Sequence, residues 1–341
     1  MNHVVIVTDA WHPQVNGVVR TLTRMTMELP KFGVRVTMLT PDGFRSIPCP
    51  GYSEIRLAFA TSRAVGRTIS ASGADHVHIA TEGPIGIAAR RWCLRNGRRF
   101  TTSFHTRFPE YLAARFPIPP SLVYRALRRF HNAGAGCMVA TPTLERELAE
   151  RGFQRLMRWT RGVDAELFHP RPDAPPLDLP RPIFLNVGRV ALEKNIGAFL
   201  CLDLPGSKVV VGDGPALAAL KAAYPEAHFL GARFGEDLAQ IYAVADVFVF
   251  PSRTDTFGIV LLEALASGLP VAAYPVTGPA DVVGSSGIGV LDEDLGRAAR
   301  AALLIPRERC RTYALAHGWR DSARQFLDNI LAVQVPPAKA A

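Results

Sequence analysis

Two carboxylates separated by seven residues, Asp255 and Glu263, bracket the tripeptide Thr256-Phe257-Gly258. A carboxylate accepts hydrogen bonds from neighbouring hydroxyls of a sugar or ribose, and Gly258 lets the backbone approach a ligand closely. Ile259, Leu262, Glu263 and Ala266 follow at helical spacing, with Gly268 as the C-terminal stop. The free N–H groups at the start of such a helix favour an anion. A second anion-directed pair, Arg189 and Lys194, sits five residues apart just after the apolar run 182–187. Arginine can grip a phosphate with two parallel hydrogen bonds and lysine adds a point charge. A phosphate held between groups that grasp hydroxyls describes a site for a nucleotide-sugar. Cations so placed would stabilise a departing diphosphate as its charge develops. No Asp-x-Asp stands in a ligand setting, so neither a metal nor a cofactor is expected. The same residues also fit a plainer reading: Asp255 as a helix cap, Glu263 as a solvated helix charge, and Arg189 and Lys194 in surface ion pairs.

The elements that must position these groups are legible around them. Residues 246–251, DVFVFP, form an apolar run short enough for a buried strand, and 270–274 start another. Strand, loop, helix, strand is the right-handed crossover of a parallel sheet, and ligands sit beyond the carboxyl ends of such strands. Residues 209–215 read as a strand and a turn containing Gly212 and Gly214. Leu217 stands where a third glycine would be needed, which argues against a nicotinamide dinucleotide. Residues 228–231 end a further strand at Gly231. The first half repeats the alternation. Strands are expected at 4–10, 33–40, 55–59, 76–80, 98–105 and 136–141, with helices at 20–29, 84–94 and 142–151. Asn16, Gly17 and Val18 lie in the loop after the first strand, and His105 at the carboxyl end of the fifth. Helices are expected again at 295–304 and 313–333. Six prolines between 170 and 182 read as a linker.

The donor-side stretch, PSRTDTFGIVLLEALASG, resembles the donor-site signature of the retaining glycosyltransferases of family 4, which have the GT-B fold. That signature is an acid, seven residues and a glutamate, with Phe-Gly after the first acid. Asp255 stands where the family usually has glutamate, and its shorter arm bears on which sugar hydroxyls are reached. The resemblance covers essentially the whole chain. It implies an α/β fold of two Rossmann-like parallel-sheet domains facing an interdomain cleft: an acceptor domain over 1–170, a donor domain over 171–315, and a helix over 316–341 returning to the first. It implies that Arg189 and Lys194 clamp the phosphates, that Gly231 lies by the base, that Asn16, Gly17 and Val18 line the donor and acceptor site, and that His105 lies near the transferred sugar. The activity implied is metal-independent hexosyl transfer with retention, from UDP- or GDP-linked glucose, glucuronate or mannose, to a membrane lipid such as diacylglycerol or to another glycan. Arg253, next but one to Asp255, is a candidate to receive an acidic sugar.

The chain has 341 residues and a net charge of +9. Residues 1–170 hold 23 Lys and Arg against 12 Asp and Glu, a balance of +11, and the remainder hold 16 against 18, a balance of −2. The first half is therefore expected to face something anionic. Residues 121–134, SLVYRALRRFHNAG, read as a basic amphipathic helix with Leu122, Val123, Ala126, Leu127 and Phe130 on one face and Arg125, Arg128 and Arg129 beside it. It fits docking on an anionic bilayer, and equally an ordinary helix packed on the sheet. Five scattered cysteines read as reduced thiols. With no signal peptide visible, the expected location is cytoplasmic, peripheral on the inner face of the membrane. Two other functions fit less well. An epimerase of the same fold would need further acids or bases, for which only His105 and Glu110 offer themselves. A basic binding module would leave the clamp unexplained, and no aromatic platform for nucleic acid is present.

Overall fold

A computed structural model describes residues 1–49, 52–113 and 117–334. The end of the returning segment expected over 316–341, from 335 on, and the side chain of Cys49 lie outside the described residues. The chain divides into two compact units, one of residues 1–160 with 320–341 and one of residues 161–319. The division falls upstream of the expected 170/171 boundary because 161–170 is tied to the second unit. Val163 N–H donates to His317 O (2.9 Å), and Arg311 donates to Phe168 O (2.7 Å) and Ala165 O (2.9 Å).

The first unit comprises β1 (His3–Val7), α1 (Gly17–Glu28), β2 (Arg35–Leu39), β3 (Ser46–Cys49), β4 (Tyr52–Ala58), α2 (Ser62–Ser72), β5 (His76–Ile79), α3 (Pro84–Arg95), β6 (Phe100–Phe104), α4 (Phe108–Ala113), α5 (Pro120–His131), β7 (Gly136–Val139), α6 (Pro142–Glu150) and β8 (Leu156–Arg158). Six strands form one parallel sheet in the order β2-β1-β5-β6-β7-β8. The Val-Val-Ile-Val run of β1 is fully buried, as a central parallel strand covered on both faces requires. The strand expected at 55–59 is not in this sheet. It belongs to β4, which pairs antiparallel with β3 as a separate hairpin. Its ladder runs to β3 alone, from the Ser46/Ala58 pair to the Cys49/Tyr52 pair, so among the described residues it is no part of the parallel ladder.

The second unit comprises β9 (Ile183–Val187), α7 (Ile196–Leu200), β10 (Ser207–Val211), α8 (Leu217–Ala223), β11 (His228–Gly231), α9 (Gly235–Val244), β12 (Val247–Phe250), α10 (Ile259–Ala266), β13 (Val271–Ala273), α11 (Pro279–Val282), β14 (Gly289–Leu291), α12 (Leu295–Ala302) and α13 (Arg307–Leu315). Its six-stranded parallel sheet runs β11-β10-β9-β12-β13-β14. Both sheets are thus doubly wound, with helices closing each crossover.

A last helix, α14 (Trp319–Gln334), packs on the first unit. Its Ser322 hydroxyl meets Trp159 Nε1 at 3.2 Å, and Gln325 accepts from Thr160 N–H at 2.7 Å. The single helix expected at 313–333 is broken at 316–318, where the chain stops to bridge Val163 and Gly318 before crossing between units.

The first sheet contains a buried polar chain. His76 Nε2 and His78 Nδ1 both lie 2.9 Å from Thr101 Oγ1, and Ser103 Oγ lies 2.9 Å from His78 Nε2. Burial, helped by Arg98 and Arg99, pushes the His76 imidazole down to about 4. The folded-state value is below the unfolded one, so the unfolded chain binds the proton more readily. Stability is full above pH ~6.5 and is lost as pH falls toward about 4, by up to roughly 3 kcal/mol. Urea unfolding at both ends of that range should show this loss, and His76→Gln should shrink it; equal losses in the two proteins would refute the assignment.

Candidate functional site

In the second sheet the chain steps outward from β9 to β10 and β11, then returns to the other side of β9 at β12, so the topological switch point lies between β9 and β12. The ladder between those strands ends at Leu185 and Phe248, and beyond it the Asn186 side chain reaches across to Val249 O (2.9 Å). In open parallel sheets the ligand crevice lies at such a switch point, beyond the carboxyl ends of the strands.

Lys194 and Asp255 come from loops on opposite sides of that switch point and meet there. Lys194 Nζ lies 2.6 Å from Asp255 Oδ1, with the side chains 25% and 15% exposed. The loops are tied to each other: Asn195 Nδ2 donates to Pro251 O (3.1 Å) and Ser252 Oγ to Glu193 O (3.5 Å). Asp255 Oδ2 and Thr254 Oγ1 are both buried with no hydrogen-bond partner among the described residues. Leaving a buried polar atom unmatched costs about 1–3 kcal/mol, so this pair is set up for a group from outside. Oδ1 is engaged by the lysine, and Oδ2 keeps its capacity to accept a hydrogen bond. Thr254 was not singled out in the sequence; a hydroxyl in a loop gives no signal until its burial is known.

Gly258 N-caps α10 at φ 84°, and a Cβ there would lie 3.1 Å from Leu261 Cδ1. Phe257 is buried and Thr256 and Ile259 half-buried around it. Glu263 is only 4% exposed on an otherwise apolar helix and accepts from the Tyr242 hydroxyl at 3.2 Å. That excludes the plainer reading of Glu263 as a solvated charge, since a carboxylate buried among leucines needs such a partner. On the other side of the crevice, the loops after β9, β10 and β11 pack backbone to backbone. Gly212 N–H donates to Gly231 O (2.9 Å), and Val190 N–H to Asp213 O (2.9 Å). At Gly212 (φ 148°) a Cβ would stand 1.8 Å from Gly188 O, and at Gly214 it would stand 2.4 Å from Val190 O. Arg189, half-buried, sits within this glycine-lined turn. The second unit therefore brings Arg189, Lys194, Gly212, Gly214, Gly231, Asp255, Thr256, Gly258 and Ile259 to the carboxyl edge of one sheet.

The candidates in the first unit have other partners. Asn16 Oδ1 accepts from Val18 and Val19 N–H, both at 3.0 Å, which makes it the N-cap of α1, with Gly17 as the first helical residue. His105 follows β6 and sets its ring edge-on to Trp159, centroids 5.6 Å apart. In α5 Leu127 and Phe130 are buried as expected, Val123 is half-buried, and two residues of the expected apolar face depart from it. Tyr124, Leu127, Phe130 and His131 are buried, whereas Leu122 and Ala126 are exposed alongside Arg125 and Arg129. The helix packs by Tyr124, whose hydroxyl donates to Glu110 Oε1 (2.6 Å), and Leu122 is left outside. Arg128 is partly engaged within the protein, donating to Arg151 O at 3.0 Å. Sequence reasoning missed Asp9, which is buried after β1. It accepts from Ile85 N–H (2.8 Å), Gly86 N–H (3.2 Å) and the Thr81 hydroxyl (2.9 Å), capping α3. Burial pushes its carboxyl above the usual range against those hydrogen bonds.

Residues 15–167 match the family described as Glycosyltransferase Family 4, and residues 181–305 match Glycosyl transferases group 1. A GDP-mannose-dependent alpha-mannosyltransferase of Mycobacterium tuberculosis is 31% identical, over 92% of this chain and 90% of that protein. The chain belongs to glycosyltransferase family 4. The transferase is also 26% identical to an alpha-monoglucosyldiacylglycerol synthase of Streptococcus pneumoniae, over 78% of this chain and 70% of that one. Its fold is that of sucrose-phosphate synthase from Thermosynechococcus elongatus, with TM-score 0.76 at 21% identity over 98% and 99% of the chains. The transferase therefore has the GT-B architecture of two parallel-sheet domains.

One expectation for the transferase changes with the geometry. Arg253, read as a receiver for an acidic sugar, donates to Glu293 Oε2 at 2.9 Å and lies over the Tyr274 ring with Cζ 3.7 Å from its centroid. Its charge is met by a neighbour, so Arg253→Ala should leave the ratio of glucuronate to glucose transfer unchanged. A ratio that falls about tenfold would restore the acidic-sugar role.

Proposed function

We propose that this family 4 enzyme moves a hexosyl group from a nucleotide-sugar to a lipid acceptor at an anionic membrane surface. The observation that carries the donor half is the Lys194–Asp255 pair at the switch point, with Asp255 Oδ2 and Thr254 Oγ1 buried and unmatched beside it. In this reading Arg189 and Lys194 take the diphosphate, the start of α10 at Gly258 faces its phosphate, and Asp255 and Glu263 serve hydroxyls of the sugar and ribose. Gly231 borders the base, and His105 with the loop at Asn16, Gly17 and Val18 serves the transferred sugar and the acceptor. GDP-mannose ranks first among the candidate donors because a relative with 90% of its length matched is named for it; UDP-glucose and UDP-glucuronate come next.

The acceptor half rests on the outer face of α5. Arg125 and Arg129 are exposed next to Leu122 and Ile118, which are 49% and 40% exposed. Basic and apolar groups side by side suit the headgroup level of an anionic bilayer. No described helix is long and apolar enough to cross a membrane. A relative named as a diacylglycerol glucosylating enzyme supports a lipid acceptor. We further propose metal-independent transfer with retention, by front-face attack in which the departing phosphate helps deprotonate the acceptor.

The test is incubation with labelled GDP-mannose, UDP-glucose or UDP-glucuronate and a bacterial lipid extract, with and without a chelator. Label should enter the lipid phase with the anomeric configuration retained and with no loss on chelation. Isomerised donor without transfer would make the protein an epimerase, and absence of any turnover would leave a binding protein; either overturns the proposal.

A further inference from the structure

On the first unit, a groove of about 760 Å³ lies between α2 and α3 and is lined in part by Ser62, Arg63, Arg67, Ser70, Trp92 and Arg95. That volume is in the range of small-molecule sites, about 300–1,000 Å³. Arg63 and Arg67 stand one turn apart on α2, and Arg95 follows Trp92 by three residues on α3, so each helix turns its cationic side to the groove. All three arginines are exposed, and among the described residues none of them forms an ion pair and no acidic side chain lines the groove. Trp92 is half-buried: it packs on the core beneath and also lines the groove. Its indole rests directly on α2, because a Cβ at Gly66 would stand 2.0 Å from Trp92 Cδ1. The glycine makes room for the indole beside three guanidiniums that form no ion pair among the described residues.

This groove is apart from the ligand edge of the sheet. α3 begins at Pro84, just past the carboxyl end of β5. Trp92 is eight residues further on, roughly 12 Å along the helix axis at 1.5 Å per residue. Like charges gathered around an aromatic surface repel one another, and an anion with an apolar face relieves both features at once. Guanidiniums bind phosphate through paired hydrogen bonds, and the CH-rich face of a pyranose or cyclitol packs on an indole as other apolar rings do. We propose that the groove is a second carbohydrate site, separate from the transfer site, that takes a phosphorylated sugar: phosphate on Arg63, Arg67 and Arg95, ring against Trp92. The same chemistry is presented by a free sugar phosphate and by a phosphosugar headgroup on a lipid.

Calorimetric titration with glucose 6-phosphate tests the free form, with glucose and inorganic phosphate as controls. Sedimentation with mixed phosphatidylcholine–phosphatidylinositol vesicles tests the headgroup, against phosphatidylcholine–phosphatidylglycerol vesicles of the same charge. At least one of the two probes, glucose 6-phosphate or the inositol headgroup, should bind the full chain in preference to its control. The double variant Arg63→Gln/Arg67→Gln, and independently Arg95→Gln, should weaken that binding by about tenfold or more, with melting temperature and nucleoside-diphosphate binding unchanged. Trp92→Phe should narrow the preference over inorganic phosphate. Which probe binds identifies the source. The proposal is overturned if neither binds, if inorganic phosphate or phosphatidylglycerol binds equally well, or if the arginine variants bind like wild type.

Discussion

Lys194→Ala is expected to lower turnover at saturating donor by about 100-fold or more, the scale for removing one preorganised charge from a developing anion. Two effects combine. The leaving diphosphate loses a cation, and Asp255, only 15% exposed, loses the partner 2.6 Å from Oδ1. With Oδ2 already unmatched, the carboxylate would then be buried with neither oxygen satisfied, so some loss of stability should accompany the loss of rate. Lys194→Arg keeps the charge but spreads it over a planar fork that needs more room; it should retain the melting temperature and recover only part of the activity. Single-turnover kinetics with each candidate donor, alongside thermal melting, separates the two effects. Wild-type turnover in Lys194→Ala would remove the clamp from the account.

Gly212→Ala should be the most damaging single methyl addition in the donor unit. The new Cβ would stand 1.8 Å from Gly188 O, a backbone atom that no rotamer change can move, and φ is 148°. The loops after β9 and β10 would have to part, taking Arg189 with them. Loss of about 3 kcal/mol or more is expected, in the range of the severe backbone and overpacking class, with nucleoside-diphosphate affinity falling in parallel. Gly231→Ala is the internal control. Its φ is 72° but nothing lies within 4 Å of its Cβ position, so only the left-handed backbone strain of about 1–2 kcal/mol applies. Denaturant unfolding of both variants measures the difference. Equal costs would mean that the loops are not in register as described.

The second unit was largely legible in its sequence because its signals are local. Runs such as Val209–Val211 and Val247–Phe250 are short, β-branched or aromatic and bounded by turn residues, as buried strands are, and the glycines and charges that follow each run mark the loops at its carboxyl end. Features decided by partners distant in the chain were not legible. Asp9 finds its donors at Ile85 and Gly86, and nothing near Asp9 announces them. In α5 periodicity gave the amphipathic helix with Leu127 and Phe130 inward and the arginines outward, but Tyr124, which reaches Glu110, joins the buried face in place of Leu122 and Ala126. Glu263 sits on a helix of leucines and alanines where its burial depends on Tyr242, a residue from another crossover. The break at 316–318 follows from the chain changing units, which leaves no mark in composition.

The central claim is that a pyrophosphate binds at the switch point of the second sheet. A crystal of the protein soaked with GDP or UDP tests it most directly. The account predicts phosphate oxygens within hydrogen-bond distance of Arg189 and Lys194 at the start of α10, with ribose hydroxyls on a carboxylate of that loop or helix. A nucleotide seated elsewhere, or clear density showing this crevice empty at saturating ligand with Lys194 and Asp255 still closed on each other, would contradict it.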